Sequence, residues 1–215
     1  MILNNLDYYI DIIDKKKSYI LLKSIIDKIA ASILFIVFFP LMIIIGILVK
    51  FTSKGSILYG ERRIGLNEKE FIIYKFRSMI NDENHPDFKR YLRESSDGTF
   101  VKPKNNPRIT KFGRFIRRTS FDELPQLYNV IIGEMSLVGP RPSTFSLSGN
   151  DKMRRIRAVI KPGVTGLWQI ENRENCLIEE MIKYDIEYIE KFNFWYDLKI
   201  ILRTIPAVLS CRGAY

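Results

Sequence analysis

The feature that most constrains this chain is an uncharged apolar segment near its N-terminus. The segment runs from Ile29 to Val49 and reads IAASILFIVFFPLMIIIGILV. About 20 consecutive apolar residues are enough for a helix to cross the hydrocarbon layer of a membrane. A charged amphipathic stretch precedes it and no small-residue cleavage site follows, which excludes a signal peptide. We therefore expect a helix embedded in a membrane.

Two features of the segment leave its topology open. Pro40 lies in the middle and interrupts the helical hydrogen bonds. Lysines flank both ends, so the bias of positive charge towards the cytoplasm selects no orientation. A hairpin bent at Pro40, with both ends on the cytoplasmic face, and a kinked span fit equally well. Residues 18–28 mix apolar and charged side chains, which is typical of a helix at the membrane interface.

The composition favours partners that carry phosphate. The 215 residues suffice for one medium domain with an appendage, and 34 Lys+Arg against 24 Asp+Glu give a net charge of +10. This charge suits nucleic acid, an anionic membrane surface or phosphorylated small molecules. Cys176 and Cys211 form no metal-binding spacing, and His85 is the single histidine. A zinc site and a Ser-His-Asp triad are therefore not expected.

The remaining pattern predicts a mostly helical α+β fold with a small β element. Residues 1–54 form the membrane-associated part and residues 55–215 a second part. Residues 56–59 and 70–79 are predicted as strands separated by a turn region at 61–67. Residues 81–106 form a long loop with a helix at 88–93, and 177–210 form two helices. An aromatic cluster at 194–196 suits a membrane–water interface, although an ordinary amphipathic helix fits as well.

A pair of adjacent carboxylates, Asp122 and Glu123, opens a predicted helix that ends at Gly133. Pro125 is tolerated only in the first helical turn, so the helix begins close to Asp122. The positive end of the helix dipole then favours the ionised carboxylates. On local pattern alone the pair is a helix cap, with Ser120 and Glu123 matching a capping box.

Cations around this pair are candidate phosphate ligands. Alternation places Lys75 and Arg77 on one face of a strand, where they suit either a phosphate or the protection of a sheet edge. Arg141 stands between two prolines that hold its backbone rigid. Lys161 opens a Gly/Pro loop, residues 161–169, whose backbone donors also suit phosphate. Trp168 in this loop stacks on a base or packs in the core.

In the order of its motifs, the chain resembles the monotopic bacterial phosphoglycosyl transferases, the bacterial sugar transferase family. The resemblance extends from about Lys23 to Ile205. It rests on the Pro-interrupted apolar segment and on six blocks in the family's order. These are Glu61-Arg62-Arg63-Ile64-Gly65, Tyr74-Lys75-Phe76-Arg77-Ser78-Met79, Pro107-Arg108-Ile109-Thr110-Lys111-Phe112-Gly113-Arg114, residues 117–127 (RRTSFDELPQL), residues 133–142 (GEMSLVGPRP) and residues 161–169 (KPGVTGLWQ).

The resemblance implies roles for particular residues. Asp122 matches the nucleophile, and Glu123 matches its acidic partner associated with Mg²⁺. Pro40 matches the proline that bends a re-entrant helix. The basic positions near the phosphates of the nucleotide sugar are matched by Lys75, Arg77, Arg118 and Arg141, with Lys161 and the pocket residues Trp168 and Gln169 as further candidates.

The resemblance also implies a reaction and a location. A sugar-1-phosphate passes from a UDP-sugar to polyprenyl (undecaprenyl) phosphate through an aspartyl-phosphosugar, and UMP is released. Such enzymes initiate exopolysaccharide, capsule, O-antigen or glycoprotein glycan assembly at the bacterial inner membrane, with the catalytic domain on the cytoplasmic face. No nucleic-acid partner is expected. The family often has Gly-Arg-Asn where this chain has residues 171–175 (ENREN), so the sugar is not assigned. The alternative is a non-enzymatic basic protein that binds phosphate or nucleic acid at the membrane surface.

Overall fold

The computed structural model describes residues 6–80, 106–142, 151–171 and 178–210. Their fold is mostly helical with two small two-stranded sheets, which confirms the predicted α+β class. The elements are α1 (Leu6–Lys15), α2 (Lys17–Thr52), β1 (Leu58–Ile64), β2 (Glu70–Phe76), α3 (Lys111–Arg118), α4 (Gln126–Ile132), β3 (Ser136–Val138), α5 (Asp151–Arg157), β4 (Gly163–Thr165), α6 (Leu167–Glu171), α7 (Ile178–Lys191) and α8 (Phe194–Leu209). The helix predicted at 88–93 lies outside the described residues.

Helix α2 contains the apolar segment and continues through Pro40. Its 36 residues give a length of about 54 Å, more than the hydrocarbon layer of ~30 Å. By length and composition it is long and apolar enough to cross a membrane. The predicted bend at Pro40 remains a prediction, as does the division of the chain at residue 54.

One face of α2 packs against the rest of the described protein on both sides of Pro40. Ala31 joins a core cluster with β2 and α4, and Ile45 and Val49 join a second cluster with Phe76 and Ile116. The opposite face exposes isoleucine, leucine, valine and phenylalanine side chains along the segment. Both faces of the helix are therefore apolar, but only one of them is covered by the rest of the described protein.

Polar contacts hold α2 before the apolar segment begins. The Lys23 ammonium lies 3.2 Å from the Asp27 carboxylate on α2 and 2.7 Å from that of Asp197 on α8. The hydroxyl of Tyr19 donates to Asp197 over 2.7 Å. All three charged groups are buried, so each needs these partners to offset its lost hydration.

The hairpin of β1 and β2 is longer than its sequence suggests. The strands pair antiparallel from Leu58 opposite Phe76 to Ile64 opposite Glu70. The prediction that residues 61–67 form a turn region is therefore wrong for 61–64, and the turn is a short 3-10 segment, Leu66–Glu68. Charged residues in β1 concealed the strand, because one face of the hairpin is solvated and tolerates them.

Short strands β3 and β4 pair in parallel and bring together two glycine-containing loops. The Gly139 N–H donates to the Thr165 carbonyl over 3.0 Å, and the Gly163 N–H donates to the Pro140 carbonyl over 2.8 Å. A Cβ on Gly163 would lie 2.1 Å from the Gly139 nitrogen, so only glycine allows this approach. The expectation that the donor of Gly163 contacts phosphate is corrected, because that donor is used within the fold.

The third core cluster joins α1, α5, α7 and α8, and its residues include Tyr9, Ile156, Tyr188, Phe192 and Ile200. The two helices predicted within 177–210 are confirmed as α7 and α8. Tyr9 of α1 is fully buried, which the sequence did not predict. On α8, Trp195, Leu202 and Ile205 remain exposed.

Candidate active site

Asp122 and Glu123 lie in a 3-10 turn, Phe121–Glu123, that leads into α4. Ser120 has a φ of 58°, and this left-handed residue separates the turn from α3. Its side chain makes no capping hydrogen bond, so the predicted capping box does not form. Helix α4 begins later than expected, and Gly133, with a φ of 89°, ends it as predicted.

Asp122 is buried, with 9% of its surface exposed. Desolvation by burial, together with the adjacent charge of Glu123, raises the pKa of Asp122 to about 6. Lys75, Arg117 and Arg141 oppose this rise. The expectation that the helix dipole dominates and favours ionisation is therefore corrected: burial is the larger effect. The result is a desolvated carboxylate among three cations, which is still mostly ionised at neutral pH.

Glu123 gathers two of the predicted cations. Its Oε1 atom lies 2.9 Å from Lys75 Nζ and 3.6 Å from Arg141 Nη2. Lys75 comes from β2 and Arg141 from the loop after β3, so three segments distant in sequence meet here. This is the charge arrangement that a phosphate-transfer site requires, with cations beside a carboxylate.

A buried asparagine sets the position of β2 relative to α4. Asn129 Nδ2 donates to the Ile72 carbonyl over 2.7 Å, and its Oδ1 accepts from the Tyr74 N–H over 3.2 Å. The same Nδ2 contacts Glu134 at 2.8 Å. Because Lys75 follows Tyr74, these bonds hold its strand against the helix that follows Glu123. The sequence analysis did not identify Asn129, whose only local signal is a polar residue on an apolar helix.

Arg141 is supported by an aromatic ring. Its guanidinium carbon lies 5.3 Å from the centroid of Trp168, within the range of a cation–π contact. Trp168 is buried, which agrees with packing in the core. The neighbouring Gln169 donates to the Val164 carbonyl over 2.8 Å and so stabilises its own loop. The prediction that Trp168 and Gln169 lie near a nucleotide pocket is therefore supported only by the contact between Trp168 and Arg141.

A narrow cleft lies between these groups, and Lys75, Glu123 and Arg141 line it. Arg63 and Gln126, which the sequence analysis did not propose as site residues, also line it. Arg63 donates to the Pro142 carbonyl over 3.2 Å and pairs with Glu61 at 2.6 Å. Its place follows from the register of the hairpin, which the sequence had not predicted beyond residue 59.

The predicted ligand Arg77 lies elsewhere. Its guanidinium donates to the Ser53 carbonyl over 2.6 Å, to Ser53 Oγ over 3.2 Å and to the Val49 carbonyl over 3.4 Å. These contacts satisfy the C-terminal end of α2. Strand β2 ends at Phe76, so the prediction of a strand over residues 70–79 is wrong for 77–79. The phosphate role of Arg77 is not supported by this geometry.

Two further predicted cations also lie outside the cleft lining. Lys161 donates to Ser24 Oγ on α2 over 3.2 Å, and burial, followed by neighbouring Lys28, lowers its pKa. Arg118 is exposed on α3, whereas the charge of Arg117 acts on Asp122. The resemblance had proposed Arg118 as a site residue and had not proposed Arg117.

The carboxylate pair has the oxygen donors of a magnesium site whose remaining ligands come from water and substrate. Among the described residues no group of three or more His, Cys, Asp or Glu side chains is suited to hold a metal. Mg²⁺ is commonly held by one or two carboxylates together with water and substrate phosphates. Asp122 and Glu123 can offer this donor set, in competition with Lys75 for Glu123.

A long apolar helix, a carboxylate pair and cations suited to phosphate are the features expected of an enzyme that acts on phosphate groups at a membrane. A family model for bacterial sugar transferases matches residues 18–211, and the chain belongs to this family. It is similar to the exopolysaccharide production protein ExoY of Rhizobium meliloti, with 40% identity over 196 residues, 88% of this chain and 86% of that protein.

Two other relatives are longer than this chain. The galactosyl transferase CpsE of Streptococcus agalactiae is 43% identical over 162 residues, 74% of this chain and 36% of that protein. The UDP-glucose:undecaprenyl-phosphate glucose-1-phosphate transferase of Xanthomonas campestris is 37% identical over 216 residues, 94% of this chain and 42% of that protein. The chain thus spans most of ExoY and less than half of these two proteins.

Proposed function

We propose that this protein transfers a sugar-1-phosphate from a UDP-sugar to polyprenyl phosphate and releases UMP. The observation that carries the proposal is the meeting of Lys75 and Arg141 at Glu123, beside the buried carboxylate of Asp122. Membership of the bacterial sugar transferase family supports it, as do relatives named for transfer to undecaprenyl phosphate. By the same analogy, the product would begin the assembly of a polysaccharide.

The reaction has two displacement steps. An oxygen of Asp122 attacks the β-phosphorus of the UDP-sugar, the bond from that phosphorus to the bridging oxygen breaks, and UMP leaves with the bond electrons. The acyl phosphate so formed carries the sugar. An oxygen of polyprenyl phosphate then attacks the same phosphorus, and the aspartate carboxylate leaves. A desolvated carboxylate suits the first step, because little water must be removed from it before attack.

The cations have a separate part in this proposal. Lys75 and Arg141 bind the diphosphate oxygens and stabilise the charge that moves onto them, Arg141 as a fork and Lys75 as a point charge. Glu123 would hold Mg²⁺, which when bound neutralises diphosphate charge. The pairing of Glu123 with both cations places their charges at the cleft before substrate arrives.

Asp122→Asn tests the nucleophile. We expect this variant to lose UMP release and the covalent phosphosugar adduct visible by intact mass after incubation with a UDP-sugar. Asp14→Asn, which removes a carboxylate from an exposed ion pair, is the control and should retain both. Normal turnover by Asp122→Asn would refute the assignment. A panel of UDP-sugars in the same assay would identify the sugar.

Glu123→Gln tests the proposed magnesium ligand. Glutamine keeps the size of the side chain but carries no charge. We therefore expect the Mg²⁺ concentration at half-saturation to rise at least about tenfold. The measurement is UMP release across a Mg²⁺ titration. Glu187→Gln, which alters an exposed pair with Lys191, should titrate like the natural protein. An unchanged titration for Glu123→Gln would exclude the ligand role.

The alternative of a non-enzymatic phosphate-binding protein predicts steep salt dependence of binding and no nucleotide turnover. Absence of UMP release from every UDP-sugar tested would favour it. Family membership and the carboxylate pair favour the enzyme, because a protein that only grips phosphate has no use for a buried acid among its cations.

A further inference from the structure

Two buried charges outside the cleft hold the backbone of Arg141. They are Arg157, at the end of α5, and Asp185 of α7, with 5% and 2% of their surfaces exposed. Arg157 Nε and Asp185 Oδ2 approach to 2.7 Å as an ion pair. Arg157 Nη2 donates to the Arg141 carbonyl over 2.7 Å, and the Arg141 N–H donates to the Asp185 carboxylate. The carbonyl and the N–H of Arg141 are thus both bound by the Arg157–Asp185 ion pair.

The stability of the fold is a poor explanation for this pair. Removing two charges from water costs several kcal/mol for each ion, and apolar residues of similar volume often serve stability as well or better. Arg157 and Asp185 instead use their remaining hydrogen-bonding capacity on Arg141. Since a fork-shaped guanidinium can reach two acceptors at once, Arg157 joins Asp185 to the loop in a fixed geometry.

The backbone of the loop that carries Arg141 is also restricted by other contacts. Pro140 and Pro142 fix φ on either side of Arg141. The Pro140 carbonyl accepts from Gly163 over 2.8 Å, and the Pro142 carbonyl accepts from Arg63. With its backbone set, the Arg141 side chain extends between Trp168 and Glu123. The guanidinium then has only its own rotamers left to vary.

We propose that the Arg157–Asp185 pair is a positioning device for Arg141 in catalysis. It sets the place of the guanidinium at the cleft and never contacts substrate itself. This inference rests on the proposed function, in which Arg141 binds the phosphate oxygens of the UDP-sugar. A purely structural pair, which joins α5 to α7 and no more, is the competing explanation.

Arg157→Lys separates the two explanations. Lysine keeps a charge for Asp185 but lacks the second arm that reaches the Arg141 carbonyl. We expect kcat/KM for UMP release to fall about tenfold or more, since a displacement of about 1 Å can cost up to 100-fold. In an Arg141→Ala background the same substitution should change kcat/KM by less than about twofold, because the group it positions is gone.

Equal losses in both backgrounds, or no loss in the natural background, would overturn the proposal. Lys23→Met is the matched control, since it breaks a buried ion pair that lies away from the cleft. Its effect on kcat/KM should be the same with and without the Arg141 side chain. Thermal unfolding of each variant checks that the folded fraction is comparable.

A second measurement does not depend on activity. Prolines lack an N–H, so Gly139 and Arg141 supply the only backbone amides of residues 139–142. We expect Asp185→Asn and Arg157→Lys to speed hydrogen exchange at the Arg141 amide about tenfold, while the Gly139 amide, bonded to Thr165, keeps its rate. Equal acceleration at both amides would indicate local unfolding and would overturn the proposal.

The two measurements distinguish the failure of this inference from that of the proposed function. If the variants speed exchange at the Arg141 amide alone and the natural protein releases no UMP, the hydrogen bonds of the ion pair to the Arg141 backbone are supported and the proposed reaction is refuted. UMP release by the natural protein, with equal Arg157→Lys losses in both backgrounds, would remove the positioning role alone.

Discussion

At the scale of single residues, Asp122 shows how reactivity and stability compete. Its burial beside Glu123 raises its pKa to about 6, so the folded protein must keep a charge where a neutral group would be more stable. Lys75, Arg117 and Arg141 offset part of this cost. A residue that served only as a helix cap would gain nothing from burial, which is why its environment favours a chemical role.

This competition gives a pH prediction with a defined sign. In the folded protein the pKa of Asp122 lies above the unfolded value of about 3.9, so ionisation of Asp122 destabilises the fold. The resulting loss of stability is small below pH 4 and reaches its full size above about pH 6. Asp122→Asn cannot ionise and should match the natural protein near pH 4. Near pH 7–8 it should be more stable, on the order of 2–3 kcal/mol.

The measurement is thermal unfolding of both proteins from pH 4 to 8 with EDTA present, so that no metal contributes. Asp14→Asn is again the control, since its carboxylate is exposed and its curve should run parallel to that of the natural protein. A constant stability difference between Asp122→Asn and the natural protein across this pH range would contradict the raised pKa.

At the scale of elements, α2 is long and apolar enough to be embedded in a membrane, and its contacts bear on the topology. The helix contacts the globular part before Pro40 through Lys23 and Ala31, and after it through Val49. A helix that crossed the bilayer alone would have lipid around its middle and its two flanks on opposite sides. Contacts on both sides of Pro40 therefore agree with the re-entrant arrangement that we expect, in which both flanks lie on the same side of the membrane.

Cysteine labelling tests this arrangement. In a Cys176→Ser/Cys211→Ser background, Lys15→Cys and Lys54→Cys place one thiol at each flank. We expect a membrane-impermeant maleimide to reach both thiols only after the cytoplasmic side is opened. Reaction of one thiol in intact cells and of the other only in opened membranes would establish a span, and would refute the re-entrant proposal without affecting the proposed chemistry.

At the scale of the whole molecule, core packing joins the exposed apolar surface of α2 to the elements of the candidate site. The exposed face of α2, and Trp195, Leu202 and Ile205 on α8, are suited to lipid. The core clusters against α2 also contain β2 and α4, the two elements that carry Lys75 and follow Glu123. A polyprenyl phosphate whose headgroup stays at the membrane surface would meet the cleft at a depth that this packing sets.

The sequence by itself determined the features that depend on neighbouring residues. The apolar segment, the helices within 177–210 and the end of α4 at Gly133 follow from periodicity and from the backbone preferences of proline and glycine. The motif order also pointed to Asp122 and Glu123, whose catalytic role stays a prediction. The apolar segment, the helices and the helix end at Gly133 each depend on a few turns of chain, so local physics is sufficient to predict them.

Only the tertiary structure decided which long side chains meet. Alternation placed Arg77 beside Lys75 on one face, but α2 covers the end of that face and takes the guanidinium. The charge of Arg117, which was not proposed, acts on Asp122, and Arg157 of α5 reaches the loop that carries Arg141. These outcomes depend on contacts between residues far apart in the chain, where a side chain several bonds long binds whatever the fold brings within reach.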